Sequence, residues 1–148
     1  MEPLQRLLIE RACERLCVDY ARRVDARSEA LADLFTEDAT LTLVNVDLRG
    51  PAEILAYIRR SAEEGRVSRH LCCNITIEVE DATQARGAAD MTYFTGRPRD
   101  GVVRTPDLRP AGVGTYHDVY RLTPQGWRIA SRRFTPAFLR QAEPKAAS

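Results

Sequence analysis

The chain has almost no lysine. Lys145 is the single one, although Lys and Arg together number 22. Schiff bases and lysine nucleophiles are therefore excluded. Excess charge is lacking too, because 21 acidic residues leave a net charge of +1. Nucleic acid and anionic membrane surfaces are held by an excess of positive charge, so neither is expected as a partner. No apolar run approaches the ~20 residues of a membrane span. Glu2, Arg6 and Glu10 near the start do not suit a signal peptide, so a cytoplasmic location is expected. Phosphate loops of the G-x-x-x-x-G-K-[ST] or G-x-G-x-x-G type are missing, as is G-x-S-x-G. Cys13, Cys17, Cys72 and Cys73 and the two histidines, His70 and His117, show no zinc-ligand spacing, so no metal site is expected. The cysteines read as reduced, small core residues.

With 148 residues, 44% hydrophobic, the chain has the size and composition of one globular domain. No linker or repeat divides it, so residues 1–140 are expected as one domain and 141–148 as a polar tail. Leu4, Leu7, Leu8, Leu16, Tyr20 and Val24 recur at helical spacing, predicting an amphipathic helix over 4–24. Ser28 is a suitable N-cap for a short second helix to Phe35. Gly50-Pro51 opens a third, which ends near Glu64 before Gly65.

The period elsewhere is two. Short strands are expected over 39–44 and 45–49, and strands of ~10 residues over 69–80, 85–95, 113–123 and 127–135. The segment 96–111 reads as a long loop, and the chain after Pro136 as a short helix or irregular tail. Helices grouped ahead of a long antiparallel run indicate an α+β fold, with the helices packed on one face of a curved sheet. Such a cone can enclose a ligand pocket.

The order of elements resembles the SnoaL-like branch of the nuclear-transport-factor-2-like (NTF2-like) superfamily. The resembling segments are residues 20–25, Tyr-Ala-Arg-Arg-Val-Asp, and residues 30–39, Ala-Leu-Ala-Asp-Leu-Phe-Thr-Glu-Asp-Ala. Gly50-Pro51-Ala52-Glu53-Ile54, Arg69-His70-Leu71, Asn74 and Gly126-Trp127-Arg128-Ile129 continue it. The resemblance implies an NTF2-like cone: three N-terminal helices on a curved, mainly antiparallel sheet. Within that branch, Tyr20, Asp25 and His70 match positions of the bile-acid 7α-dehydratases. Scytalone dehydratases are similar at Asp25 and His70, but place a tyrosine where this chain has Val24 and a further histidine on the second long strand. The lining expected of the pocket is Phe35, Tyr57, Cys72, Tyr93 and Tyr116 with Tyr20, around Asp25 and His70.

The chemistry of these residues points the same way. Histidine alone titrates near neutrality without help. A carboxylate beside an imidazole fixes its tautomer, and a tyrosine hydroxyl can donate to a developing oxyanion. The expected function is a cofactor-free dehydratase or isomerase moving a proton next to a carbonyl. Its expected substrate is an apolar polycyclic compound, steroid- or polyketide-like. Two alternatives are a non-catalytic binder of small molecules and a structural β-type subunit of a ring-hydroxylating dioxygenase. His117 reads as a sheet-surface or interface residue, and Arg132-Arg133 as a solvated pair, with contact to an anionic substrate tail as the alternative. Strict alternation puts His70, Cys72, Asn74 and Thr76 on one face, and Leu71, Cys73, Ile75, Ile77 and Val79 on the other. An apolar outer face needs cover, which predicts a homodimer or homotrimer unless a β-bulge near Cys72 reverses the faces.

Overall fold

Pro3 occupies the first turn of α1, Pro3–Ala26, where a missing N–H costs nothing. One stripe of α1 is buried, from Ile9 through Cys13, Leu16, Tyr20 and Val24. The helix ends on Arg27, which takes the left-handed conformation at φ 55°. Its N–H bonds Val24 O, and that of Ser28 bonds Arg23 O. Asp25 thus sits in the last turn. Ser28 then accepts a hydrogen bond from the Ala30 N–H and caps a 3-10 helix, Glu29–Leu34, in place of the expected α-helix. The computed structural model describes residues 1–141. The polar tail expected over 141–148 lies outside them except for Gln141.

The strands are β1 (Phe35–Leu43), β2 (Val46–Arg49), β3 (Val67–Val79), β4 (Gln84–Gly96), β5 (Gly112–Thr123) and β6 (Gly126–Leu139). Helix α2, Gly50–Glu63, follows β2. Gly50, at φ 72°, makes the turn into α2, and Glu53 accepts the Arg49 N–H at its start. The sheet runs β2-β1-β6-β5-β4-β3, antiparallel except for the β1–β6 pair. This is the expected α+β cone, with α1 across the concave face at β3.

Two strand boundaries differ from expectation. β1 begins at Phe35, because pairing with Ile129 holds the polar run Thr36-Glu37-Asp38 extended. β6 continues through Pro136 as a strand. Its pairing with β1 stops at Arg133, so beyond that residue β6 has only β5 as neighbour. Proline is tolerated on such a free edge.

A bulge on β3 overturns strict alternation. The register with β4 shifts between Cys73 and Thr76, and Asn74 there takes φ 49°. Asn is among the few residues that adopt this conformation readily. Ser68, His70 and Cys72 face inward before the bulge. After it Ile75, Ile77 and Val79 turn inward, leaving only Leu71 and Cys73 of the expected apolar set outside. The outer face also carries polar groups that bond one another. Asn74 and Thr115 both donate to Asp90, Thr40 donates to Ser131, and His117 is exposed beside Arg133. The bulge thus moves Ile75, Ile77 and Val79 off the outer face, where Leu71, Phe94, Val113 and Phe138 remain. Cys13 and Cys17 are buried thiols as expected, but Cys73 is exposed.

The core also holds a charge pair. Arg132 is 0% exposed and grips Asp118 through two hydrogen bonds, Nε to Oδ1 at 2.8 Å and Nη2 to Oδ2 at 2.6 Å. Tyr120 donates to the same carboxylate at 2.6 Å. The guanidinium lies 4.3 Å from the ring centroids of both Tyr20 and Tyr116. Arg132 is thus a core residue, and only Arg133 is solvated. Side chains of successive strand residues point to opposite faces.

Candidate active site

A carboxylate at a helix C-terminus opposes the helix dipole. Asp25 holds that position, and its side chain is only 6% exposed. Three donors from β3 compensate. The His70 backbone N–H reaches Oδ2 at 2.8 Å, while the His70 ring Nδ1, at 2.6 Å, and the Ser68 hydroxyl, at 2.9 Å, share Oδ1. Burial pushes the Asp25 carboxyl up, but the bonds from His70, its charge and the Ser68 hydroxyl outweigh this and hold it below its usual range. An ionised carboxylate only accepts, so Nδ1 carries the proton. The other ring nitrogen, Nε2, has no hydrogen-bond partner among the described residues. The imidazole is pinned further by stacking on Tyr93, centroids 5.6 Å apart and planes 14° from parallel.

His70 opens onto a cavity of about 490 Å³ between the helices and the concave face of the sheet. Tyr20 and Val24 of α1, Tyr57 and Ile58 of α2, and the β1–β2 turn form part of its wall. Met91, Tyr93, Tyr116 and Phe134 form the sheet side. Its polar groups include Asn45, Ser61, Arg66 and Thr95. Among the described residues no carboxylate lines it, so His70 is the base its wall offers. Burial pushes the Tyr20 phenol up to about 12, against the opposing charge of Arg132. Burial raises Tyr116 well above its usual value and raises Tyr93 as well. These phenols stay protonated at neutral pH and can donate.

The structure brings Asp25 and His70 into direct contact and sets Tyr20 on the wall of the same cavity, hydrogen-bonded to neither. Tyr57, Tyr93 and Tyr116 line the cavity as expected. Phe35 and Cys72 do not. Phe35 packs edge-on behind Tyr20, centroids 5.9 Å apart, because Tyr20 projects past it from α1. Cys72 faces inward but its thiol meets Cys17 of α1, which covers it. Three contributors escaped sequence reasoning: Ser68, Arg132 and Asp118. For Ser68 a signal existed, since it lies two residues before His70 and so shares its face of the strand.

The fold is shared with several solved structures. The Mycobacterium tuberculosis protein Rv3472, of unknown function, is 26% identical with a TM-score of 0.78, over 94% of this chain and 78% of that one. A protein from Novosphingobium aromaticivorans provisionally assigned as a scytalone dehydratase is 22% identical with a TM-score of 0.76, over 99% of both chains. The beta subunit of a provisionally assigned aromatic-ring-hydroxylating dioxygenase from the same organism is 20% identical with a TM-score of 0.73, over 92% and 94%. At such identities the last two likenesses speak to fold alone. No curated protein matches the chain. Element order, cone and cavity agree with the sequence pattern matched over residues 5–133, and the chain belongs to the SnoaL-like domain family.

Proposed function

We propose that this protein is a cofactor-free dehydratase or isomerase that moves a proton next to a carbonyl on an apolar, steroid- or polyketide-like compound. The observation that carries this reading is the Asp25-bound imidazole, whose unpartnered Nε2 belongs to a ring on the wall of an apolar cavity. A neutral imidazole with Nδ1–H fixed on a carboxylate is a base at Nε2, and the carboxylate stabilises the cation formed. The proton on the carbon beside the carbonyl passes to Nε2. Its electron pair moves onto the carbonyl oxygen, which a protonated phenol such as Tyr20 or Tyr116 stabilises. In dehydration the enolate then expels the β-oxygen, and Nε2–H returns the proton to it, so that water departs. In isomerisation the proton returns to another carbon. Pockets of about 300–1,000 Å³ hold molecules of drug size, which suits two to four fused rings. A structural-subunit role predicts a core filled by side chains, and the cavity favours the enzyme over it.

A panel of hydroxy-ketosteroids and hydroxylated polyketides, followed by NMR for α-proton exchange in D₂O and for loss of water, tests this reading. Exchange is expected with wild type and not with His70→Ala. Turnover that survives His70→Ala sinks the assignment of the base. Tight binding without exchange would identify a non-catalytic binder.

A further inference from the structure

Hydrogen-bond polarity at the acidic end of the cavity restricts what can bind there. Ser68 has one hydroxyl proton, and the ionised Asp25 carboxylate, an acceptor only, takes it at 2.9 Å. Asp25 also takes the Nδ1 proton of His70. Both Ser68 and His70 line the cavity, and in the neutral imidazole that serves as base the Ser68 Oγ and the imidazole Nε2 both offer lone pairs there. Sharing the single oxygen Oδ1 keeps the two groups side by side. Elsewhere on the wall Tyr93 supplies a donor, and Tyr20 and Tyr116, hydrogen-bonded to each other, leave one more. The cavity thus has an end that accepts and other walls that donate.

We propose that Ser68 is a specificity-determining residue: its Oγ accepts a hydrogen bond from a substrate hydroxyl beside the His70 base. The substrate class this selects is a β-hydroxy carbonyl compound with a free O–H, in preference to its ethers and esters. The inference rests on the proton-transfer reading above and decides for dehydration within it. The α-carbon proton goes to Nε2 and the C–H electron pair to the enolate. The C–O bond then breaks, and its electron pair leaves with the oxygen, which takes the proton from Nε2–H. The hydrogen that Ser68 holds stays on that oxygen, and water departs with no oxidant or reductant involved. Ethers and esters lack this donor and would leave the Ser68 lone pair desolvated and unpaired, a loss of about tenfold in affinity.

Ser68 would also support Asp25 if it never touched a ligand, and such support acts on all ligands equally. The test is therefore a ratio. Affinities are measured for the ring-hydroxylated tetralones, flat bicyclic ketones, and for their O-methyl ethers, with wild type, Ser68→Ala and Ser68→Thr, after thermal melting has shown each variant folded. Wild type and Ser68→Thr are expected to prefer the best-bound hydroxyl isomer over its ether about tenfold, and Ser68→Ala to show a ratio near one. Equal affinities with wild type, failure of every probe to bind it, or a preference that survives Ser68→Ala overturns the proposal. The His70-dependent exchange assay separates this outcome from failure of the catalytic reading. Exchange without a Ser68-dependent ratio removes this inference alone. A Ser68-dependent ratio without exchange removes the catalysis and the dehydration assigned to it.

Discussion

Replacing Asp25 with asparagine isolates the carboxylate on which the site is built. The carboxylate accepts from three donors, the His70 ring, the His70 backbone and the Ser68 hydroxyl. An amide keeps only one accepting oxygen, so at least one of those donors meets an N–H instead. The remaining bonds lose the help of a charge. Hydrogen bonds to charged groups contribute about 1.5–3 kcal/mol each, and unpaired buried donors cost a similar amount. We expect Asp25→Asn to destabilise the fold by about 3 kcal/mol at pH 7, a fall in melting temperature of about 6–12 °C for a chain of this size. The sign with pH follows from the depressed Asp25 pKa. A carboxyl held low in the folded state contributes stability that is present above its unfolded value, about 3.9, and is lost as pH falls through its folded value. The carboxylate's contribution to the gap between wild type and variant should therefore be present in full at about pH 5 and shrink below about pH 4. Urea unfolding at pH 7, 5, 4 and 3 reads this directly. With its tautomer unfixed, His70 should also lose about 100-fold or more in α-proton exchange. A variant as stable as wild type, or a gap that does not change with pH, would refute the account of Asp25.

Three further outcomes are expected. Arg132→Met should cost about 3–5 kcal/mol in chemical denaturation, because it strands the buried Asp118 carboxylate. A double variant that also carries Asp118→Leu should recover much of that loss. In Gly114→Ala the new Cβ would stand 2.3 Å from the Thr135 carbonyl and 2.7 Å from the Phe134 ring. About 1–3 kcal/mol of lost stability and weaker ligand binding are expected, measurable by calorimetry. A single base that both takes the proton and returns it to the leaving oxygen works from one face of the substrate. Stereospecifically deuterated hydroxyketones should therefore lose label by syn elimination, and anti elimination would call for a second base.

Local pattern carried far in this chain. Helical spacing located α1 and α2 to within a few residues, and period two located β3 to β6, because their amphipathic faces meet one core. The pairing of Asp25 with His70 was also within reach, since the family resemblance names both positions. What stayed hidden depends on partners distant in sequence. Asp118 and Arg132 are opposite each other only once the β5–β6 register is known, and until then Arg132-Arg133 looks like any charged surface pair. The β3 bulge rests on the left-handed Asn74, whose side chain bonds Asp90 of the next strand. The tension between an inward His70 and the apolar Ile75, Ile77 and Val79 already points to a bulge near Cys72, but the bond to Asp90 is what fixes it at Asn74. Residue type suits Phe35 and Cys72 to the cavity wall, but Tyr20 and Cys17 of α1 pack against them and neither lines it.

The buried ion pair between β5 and β6 has a consequence for how the chain reaches its native pairing. Asp118 and Arg132 are direct cross-strand partners. If β6 slid by one position, Arg132 would swing out to water and Arg133 would enter in its place, with every neighbouring side chain on the wrong side. A slide by two would set a carboxylate and a guanidinium in the interior with no counter-charge, at a cost of several kcal/mol. The pair thus favours the native register over misaligned hairpins, since only that alignment seats the guanidinium on its carboxylate between two aromatic faces.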